Sequence, residues 1–535
     1  MPLPSSSLAT STLSAAVRPI KLAIIGGGPS AFYAASRILH HIQPDSHQGQ
    51  NVQVDMYDRS WAPYGLVRYG VAPDHPEVKN CIHKFDLTAH DPRFRFFGNV
   101  AVAQEAPKSS PRSTVAIALR DLFPHYSHLL LAIGSSKPRP LPATMKGTIP
   151  AIDVVHWYTG HESNPPPPPL DRTRHVTLIG HGNVSLDIAR MLLTPPSVLE
   201  KLDIPQHVLD VLRTSTVEHV SIASRRGPAE VSFTAKELRE LLNLPNATML
   251  PIVPPEILQP PPQGATRQQS RILELLRKGS VPKGAPASDA RKATWSLEFF
   301  RSPIETGPKT ITYEVTELDA DRRAKSTGVR DTHQTDLVIT SVGSWSEPFV
   351  RNGGTTTTTT TTTTNGEGFD GKPNTSSTTT STSADPWFDP VLGRVRNSQG
   401  RVIDGILGDT VKNVYTSGWA SNGAKGVLAT TMYDAYDIAD RLISDHIQDQ
   451  TDIDTAHVSD ASGLSPMNAA PDSLTSVPEH VQEVLDGRVA GRRVITWDVW
   501  KWIEAEEMRR GAAKGKANER MSWQDVDSFL SSTLP

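Results

Sequence analysis

The sequence predicts an α/β chain with two doubly wound, largely parallel sheets, and three observations predict it. A short apolar strand, a glycine turn and a helix occur twice, at residues 20–42 and 174–193. Each unit is followed by a second strand, at 51–60 and 218–228. At 535 residues the chain is longer than one core usually serves, so two or three domains are expected.

The elements follow in order. "IKLAIIGGGPSAFYAASRILHHI" is strand, turn and helix, and "NVQVDMYDRS" alternates as a strand ending near Asp58. Together they make a βαβ start. "YSHLLLAIGSS" (126–136) is a further buried strand. After a proline-rich link at 138–150 the pattern restarts with "RHVTLIGHGNVSLDIARMLL", then "EHVSIASRRGP", and "TDLVITSVGS" (335–344) closes the second unit. The pentaproline at 165–169 reads as a solvated link. Residues 251–290 read as proline-rich loops around one helix at 267–279. Ten consecutive threonines within 352–384 cannot bury a core and are expected to form a disordered surface insertion. Beyond it, 413–447 reads as strand, glycine-rich turn and long helix. In "TWDVWKWIEAEEMRRG" (496–511) the tryptophans and isoleucine are expected as core contacts.

Composition is ordinary for a globular chain, with 37% hydrophobic and 21% charged residues. A net charge of −3 gives no global field for nucleic acid or lipid. Cys81 is the single cysteine, which excludes an internal disulfide, a Cys-x-x-Cys pair and a cysteine-ligated cluster. Any redox chemistry therefore needs a non-cysteine cofactor, and no metal site is expected. No run of 18 apolar residues appears, so no spanning helix is expected. Residues 1–19 contain no acid and read either as a transit segment or as a plain leader, with Arg18 their one basic side chain.

Gly26, Gly28 and Ala31 form G-x-G-x-x-A between strand and helix. The first glycine makes the turn, the second admits a pyrophosphate, and the small third residue lets helix and strand pack. The phosphate then meets free N–H groups at a helix N-terminus. Asp58 ends the second strand, where an acid can hold ribose hydroxyls. The competing reading is a tight turn without ligand. Gly180, Gly182 and Ser185 repeat the pattern less regularly. At the end of its second strand Arg225 and Arg226 replace the acid, which suits a 2′-phosphate and so NADP(H) over NAD(H). The competing reading of the pair is a solvated turn. Two dinucleotide sites imply one bound cofactor, FAD, and one exchangeable nicotinamide nucleotide.

The strings "GGGPSAFYAA", "YGLVRYGVAPDHPEVKN", "GHGNVSLDIARMLLTPP", "SRRGPAEVSFTAKELREL", "YTSGWASNGAKGVLATTM" and "VITWDVWKWIEAEEMRRG" resemble the mitochondrial NADPH:adrenodoxin (ferredoxin) reductases. The resemblance covers most of 20–450 and the tail, but neither the threonine tract nor the proline-rich loops. It implies two Rossmann-like domains. One is an FAD domain split between 20–135 and 385–535, and the other an NADP domain at 136–345 inserted between its halves. It implies that the loop 65–80 lines the flavin, with Leu66 in contact. His75 and Asp187 then stand beside the redox centre. Read from the residues alone, His75 could instead bond Asp74 or Glu77 within its loop.

By the same resemblance Ser30, Asp58, Leu66, Val102, Trp419, Gly426, Val427 and Leu428 match FAD positions. Ser30 and Asp58 stand where the familiar members have alanine and glutamate. His181, Gly182, Asn183, Val184, Arg225, Arg226, Glu237 and Gly426 match NADP positions, with His181 in place of glutamine. Trp419 stands where many two-nucleotide flavoproteins carry aspartate. The helix starting near Gly426 would aim its positive end at the flavin. Arg239, Arg267 and Arg271 match basic residues facing a small acidic [2Fe–2S] ferredoxin. Arg267 and Arg271 are four apart on one helix and share a face, although ordinary solvated arginines would look the same.

The reaction so implied is hydride transfer from NADPH to FAD, then single electrons to an adrenodoxin-like ferredoxin. The implied location is the mitochondrial matrix side, peripheral to the inner membrane. Two other classes fit the glycine motifs. A flavin monooxygenase would couple NADPH to oxygen uptake or peroxide formation. A nucleotide-occupied scaffold without turnover would hold FAD that NADPH cannot bleach.

Overall fold

The computed structural model describes residues 18–44, 51–103, 114–261, 264–348, 385–455, 466–468, 470–471 and 473–533. The threonine tract and most of the leader lie outside these residues. In chain order the first half contains β1 (Ile20–Ile25), α1 (Pro29–His41), β2 (Val52–Tyr57), β3 (Phe94–Phe97) and β4 (His128–Leu131). Next come β5 (His175–Ile179), α2 (Asn183–Leu193), β6 (His219–Ala223), α3 (Ala235–Leu242), β7 (Ala247–Met249), α4 (Arg267–Lys278), β8 (Ala293–Glu298) and β9 (Leu337–Thr340). The chain ends with β10 (Thr410–Thr416), α5 (Leu428–Thr455), α6 (Trp497–Ala512) and α7 (Trp523–Thr533).

Two sheets organise these elements. The first has seven strands and runs from the short strands Asn397–Ser398 and Arg401–Ile403 through β10, β4, β1 and β2 to β3. From β10 to β3 all pairs are parallel. The second has six strands, ordered β7, β8, β6, β5, β9 and Ile149–Pro150, and every pair is parallel. Parallel sheets must be covered on both faces. Accordingly β1 and β2 are buried along their whole length. The lysine in β1 is tolerated because Lys21 Nζ donates to the Ser473 carbonyl (2.8 Å) and the Ser476 hydroxyl (2.8 Å). Burial pushes its pKa down to about 8.

The α4 helix starts where its sequence says it should. Thr266 and Gln269 form a reciprocal capping box, and Arg277 and Lys278 complement the dipole at the other end. Thr234 caps α3, its hydroxyl accepting from Glu237 N at 3.3 Å. In the tail α6, Asp498 lies in the first turn and Arg509 and Arg510 in the last.

One expectation needs correction. Trp497, Trp500 and Ile503 are buried, but Trp502 of the same helix is 49% exposed, because α6 covers the core with one stripe and Trp502 lies off it. One further element carries no glycine motif. Strands Arg301–Thr306, Thr310–Leu318 and Ala324–Gln334 form a separate antiparallel sheet between β8 and β9.

The tail ties the two sheets' domains together. Glu507 on α6 accepts from Arg68 at 2.7 Å, with both side chains almost fully buried. The Arg68 guanidinium also stacks on Trp500 at 4.8 Å. Arg520 pairs with Asp203 in the second domain, and the Gln206 amide donates to Glu519 at 3.1 Å.

Candidate active site

Each glycine turn opens at the carboxyl end of its sheet. Gly26 has φ +107°, and a Cβ there would lie 2.3 Å from the Ala132 carbonyl oxygen. Gly180 has φ +120° and would meet the Ser341 carbonyl oxygen at 2.3 Å. Both positions therefore demand glycine on grounds of backbone alone. Gly28 and Gly182 differ: a Cβ on either meets nothing within 4 Å. Each is the N-cap of its helix, α1 or α2. An open face beside free N–H groups is what a pyrophosphate requires, so both turns fit a dinucleotide.

The first turn is enclosed by distant segments. Asp58 Oδ2 accepts from Gly27 N at 2.6 Å and Oδ1 from Ser60 N at 2.8 Å. Burial pushes its carboxyl pKa up, against the lowering by these amides. Tyr64 and Gly65 both take positive φ and fold the 65–80 loop onto the turn. A Cβ on Gly65 would lie 3.0 Å from Gly28 Cα. Leu66 begins a short helix, Leu66–Tyr69, directly beyond. Val102 packs into the core beneath, on a strand whose Val100 amide donates to the Asp58 carbonyl at 2.8 Å.

Across the turn, Ser30 Oγ meets Ser417 Oγ at 2.6 Å. Asp434 of α5 then gathers that edge. It accepts from Ser417 Oγ (3.0 Å), Gly418 N (2.6 Å) and Asn422 Nδ2 (2.7 Å). Sequence reasoning missed Asp434; its only signal was an acid in the second turn of a helix facing a Ser-Gly pair. Trp419 starts the short helix Trp419–Asn422 on this edge. Gly426 and Val427 are exposed just ahead of α5, where Val427 N donates to Thr430 Oγ1 at 3.0 Å, and Leu428, the first residue of the helix, is partly buried against the core.

At the second turn, Asn183 Oδ1 accepts from Thr234 N at 2.8 Å and fixes α3 beside α2. Val184 is exposed on the first turn of α2. Arg225 and Arg226 are exposed after β6, and among the described residues neither guanidinium has an acidic partner. His181 lies at the same turn. Its imidazole is buried, bonded from Nε2 to the Ile222 carbonyl at 2.8 Å and edge-on to Phe299. Burial lowers its pKa to about 4, so it is a neutral core residue.

The two domains meet at a charged cluster. His75 comes from the 65–80 loop, and Asp187, Arg190, Glu237 and Glu240 come from α2 and α3. His75 Nε2 lies 2.6 Å from Glu240 Oε2, not against Asp74 or Glu77. Arg190 is 2% exposed. It donates to Asp74 Oδ2 (2.5 Å), Asp187 Oδ1 (2.8 Å) and Glu237 Oε2 (3.0 Å). Its Nη2 sits 3.2 Å from His75 Nε2. The Glu240 hydrogen bond raises the His75 pKa. Burial pushes Asp187 up to about 7, partly offset by Arg190. Glu237 thus serves this cluster. His75, Glu237 and Glu240 bring ligand atoms within 4.8 Å of one another. Arg190 already stands between the carboxylates, so a guanidinium holds the place a cation would take.

Arg239 lies half-exposed on α3, and Arg267 and Arg271 are exposed on α4. Both helices bury leucines in the same core.

Two dinucleotide cradles, one ending in an acid and one in an arginine pair, define a two-nucleotide flavoprotein oxidoreductase. Comparison with known proteins narrows the class. The chain is 34% identical over 523 residues to human mitochondrial NADPH:adrenodoxin oxidoreductase, covering 94% of this chain and 90% of that protein. It is 31% identical over 523 residues to the NADPH-ferredoxin reductase FprA of Mycobacterium tuberculosis, covering 95% and 98%. The solved structure of that FprA in complex with NADPH superposes with a TM-score of 0.71 at 30% identity, covering 95% of this chain and 99% of that one. No family model matches. The chain belongs to the NADPH:adrenodoxin (ferredoxin) oxidoreductase family.

Proposed function

We propose that this chain is an FAD-dependent NADPH:ferredoxin reductase. The observation that carries the reading is the pair of open glycine cradles in a chain of this family. Bound FAD supplies hydride acceptance from NADPH and one-electron donation to an iron–sulfur protein. The chain's residues do the rest. Gly28 and the α1 N-terminus receive one pyrophosphate, and Asp58 the adjacent ribose. Gly182 and the α2 N-terminus receive the other, and Arg225 and Arg226 hold the 2′-phosphate. The 65–80 loop, seated on Gly28, keeps water from the reacting faces.

Oxidising one NADPH with two ferredoxins releases one proton. Near neutral pH the Asp187 carboxyl is part-protonated, and His75 Nε2 shares a proton with Glu240. That proton can therefore be held at the domain junction. Arg190 fixes both groups in place.

The finer readings rest on other support. An adrenodoxin-like [2Fe–2S] partner is supported by the exposed arginines of α3 and α4. A mitochondrial location is supported by the acid-free first 19 residues and by the mitochondrial relatives, although the bacterial relative is similar to the same degree. Among the described residues no helix is long and apolar enough to cross a membrane.

The test is anaerobic stopped-flow with NADPH or NADH, with and without a [2Fe–2S] ferredoxin. NADPH should bleach the flavin far faster than NADH, and ferredoxin should then be reduced. Bleaching without ferredoxin reduction, accompanied by rapid oxygen uptake in air, would instead favour the monooxygenase.

A further inference from the structure

The loop that carries Arg225 and Arg226 also carries an acid. Glu230 ends the 3-10 turn Pro228–Glu230, its amide bonded to the Gly227 carbonyl at 3.1 Å. Its carboxylate folds back on that turn. A Cβ on Gly227, the residue directly after Arg226, would lie 3.0 Å from Glu230 Oε2. The Glu230 side chain is only 7% exposed. A bare carboxylate so placed would oppose a phosphate dianion on the arginine pair and favour an unphosphorylated ribose.

The fold supplies a counter-charge from elsewhere. Arg322 donates from Nε to Glu230 Oε1 at 2.9 Å, and its Nη2 donates to the same oxygen. It projects from the turn between Thr310–Leu318 and Ala324–Gln334, in the antiparallel sheet. That sheet is moored on the arginine loop. Thr316 Oγ1 donates to the Arg225 carbonyl (2.7 Å), and the Arg301 amide donates to the Ser224 carbonyl (2.8 Å).

We propose that Arg322 is a specificity-determining residue, which by neutralising Glu230 makes the Arg225–Arg226 loop selective for a 2′-phosphorylated adenosine. This rests on the assignment of Arg225 and Arg226 to the 2′-phosphate. Arg322 does not touch the nucleotide; it acts through the acid beside the arginine pair.

Calorimetric titration of the FAD-replete protein with 2′,5′-ADP and with 5′-AMP tests this without turnover. Arg322→Gln should weaken 2′,5′-ADP about tenfold while changing 5′-AMP less than about twofold. The double variant Arg322→Gln with Glu230→Gln should restore 2′,5′-ADP binding, because no uncompensated charge remains. Glu230→Gln alone, which keeps the shape of the loop, should bind 2′,5′-ADP at least as tightly as the parent. Unchanged affinity in Arg322→Gln overturns the proposal, and so does a double variant that stays weak, since that marks packing and not charge. Arg225→Gln with Arg226→Gln is the control for the reading beneath. If it loses 2′,5′-ADP while Arg322→Gln does not, only the Arg322 proposal falls. If it keeps 2′,5′-ADP, the phosphate lies elsewhere and both fall.

Discussion

The two glycine turns have nearly the same backbone and very different surroundings. Gly26 and Gly180 are forced by the same close approach to a neighbouring strand's carbonyl, and Gly28 and Gly182 are equally open. The first turn, however, is closed over by three remote segments: Asp58 on Gly27, Gly65 on Gly28, and Gly418 against Ser30. The second is touched mainly by its own domain, through Asn183 and Thr234, and ends in solvent-exposed arginines. The strand–turn–helix alone therefore does not distinguish the two sites. What distinguishes the two turns is their long-range cover.

The contrast breaks most sharply at the glycines. Gly26→Ala and Gly180→Ala place a Cβ into backbone at positive φ and should each destabilise their domain by about 2–5 kcal/mol, with or without nucleotide. Gly28→Ala meets nothing in the protein. Its apoprotein should melt with the parent, yet fail to retain FAD through gel filtration. Gly182→Ala should keep FAD and lose NADPH affinity. A Gly28→Ala apoprotein that melts early would show that the open face is a packing feature and not a cradle.

The junction between the two units gives a smaller, pH-dependent effect. The folded Asp187 carboxyl holds its proton to about pH 7, whereas an unfolded one releases it near pH 4. Its contribution to stability is complete below about pH 4 and is lost as pH rises through about 7. His75 tilts the same way, since its raised pKa stabilises the charged form below its unfolded value of about 6.5. Melting temperature should therefore fall from pH 5 to pH 8 less steeply in Asp187→Asn than in the parent. Equal slopes would mean that Asp187 is ionised throughout.

Both turns, their strands and the α4 helix were legible because each is local: apolar runs, glycine spacing and capping residues lie within a few positions. The His75–Glu240 contact was not, since 165 residues separate the partners. From sequence the near acids, Asp74 and Glu77, were the natural guesses. Asp434 escaped for the same reason, as its partners Ser417 and Gly418 are met only once α5 packs. The burial of the His181 ring was not legible either, since it depends on the packing of Phe299, far along the chain. The antiparallel sheet at 301–334 was readable in principle, since "TITYEVTEL" alternates, but no nucleotide motif drew attention to it.

The smallest effect sharpens the comparison at the surface, where the second unit has the exposed arginines. Arg271 Nη1 already donates to Glu274 Oε2 at 2.8 Å one turn along α4, so part of its field is spent. Arg267 has no acidic partner among the described residues. Arg267→Gln should lower the rate of ferredoxin reduction about threefold at low ionic strength, and Arg271→Gln should lower it less. Flavin bleaching by NADPH should be unchanged in both. The difference should vanish near 0.5 M salt, where the Debye length is only about 4 Å. If Arg271→Gln proves as damaging as Arg267→Gln, or if the loss persists at high salt, steering by this face is wrong. The acceptor would then be guided by some other part of the surface.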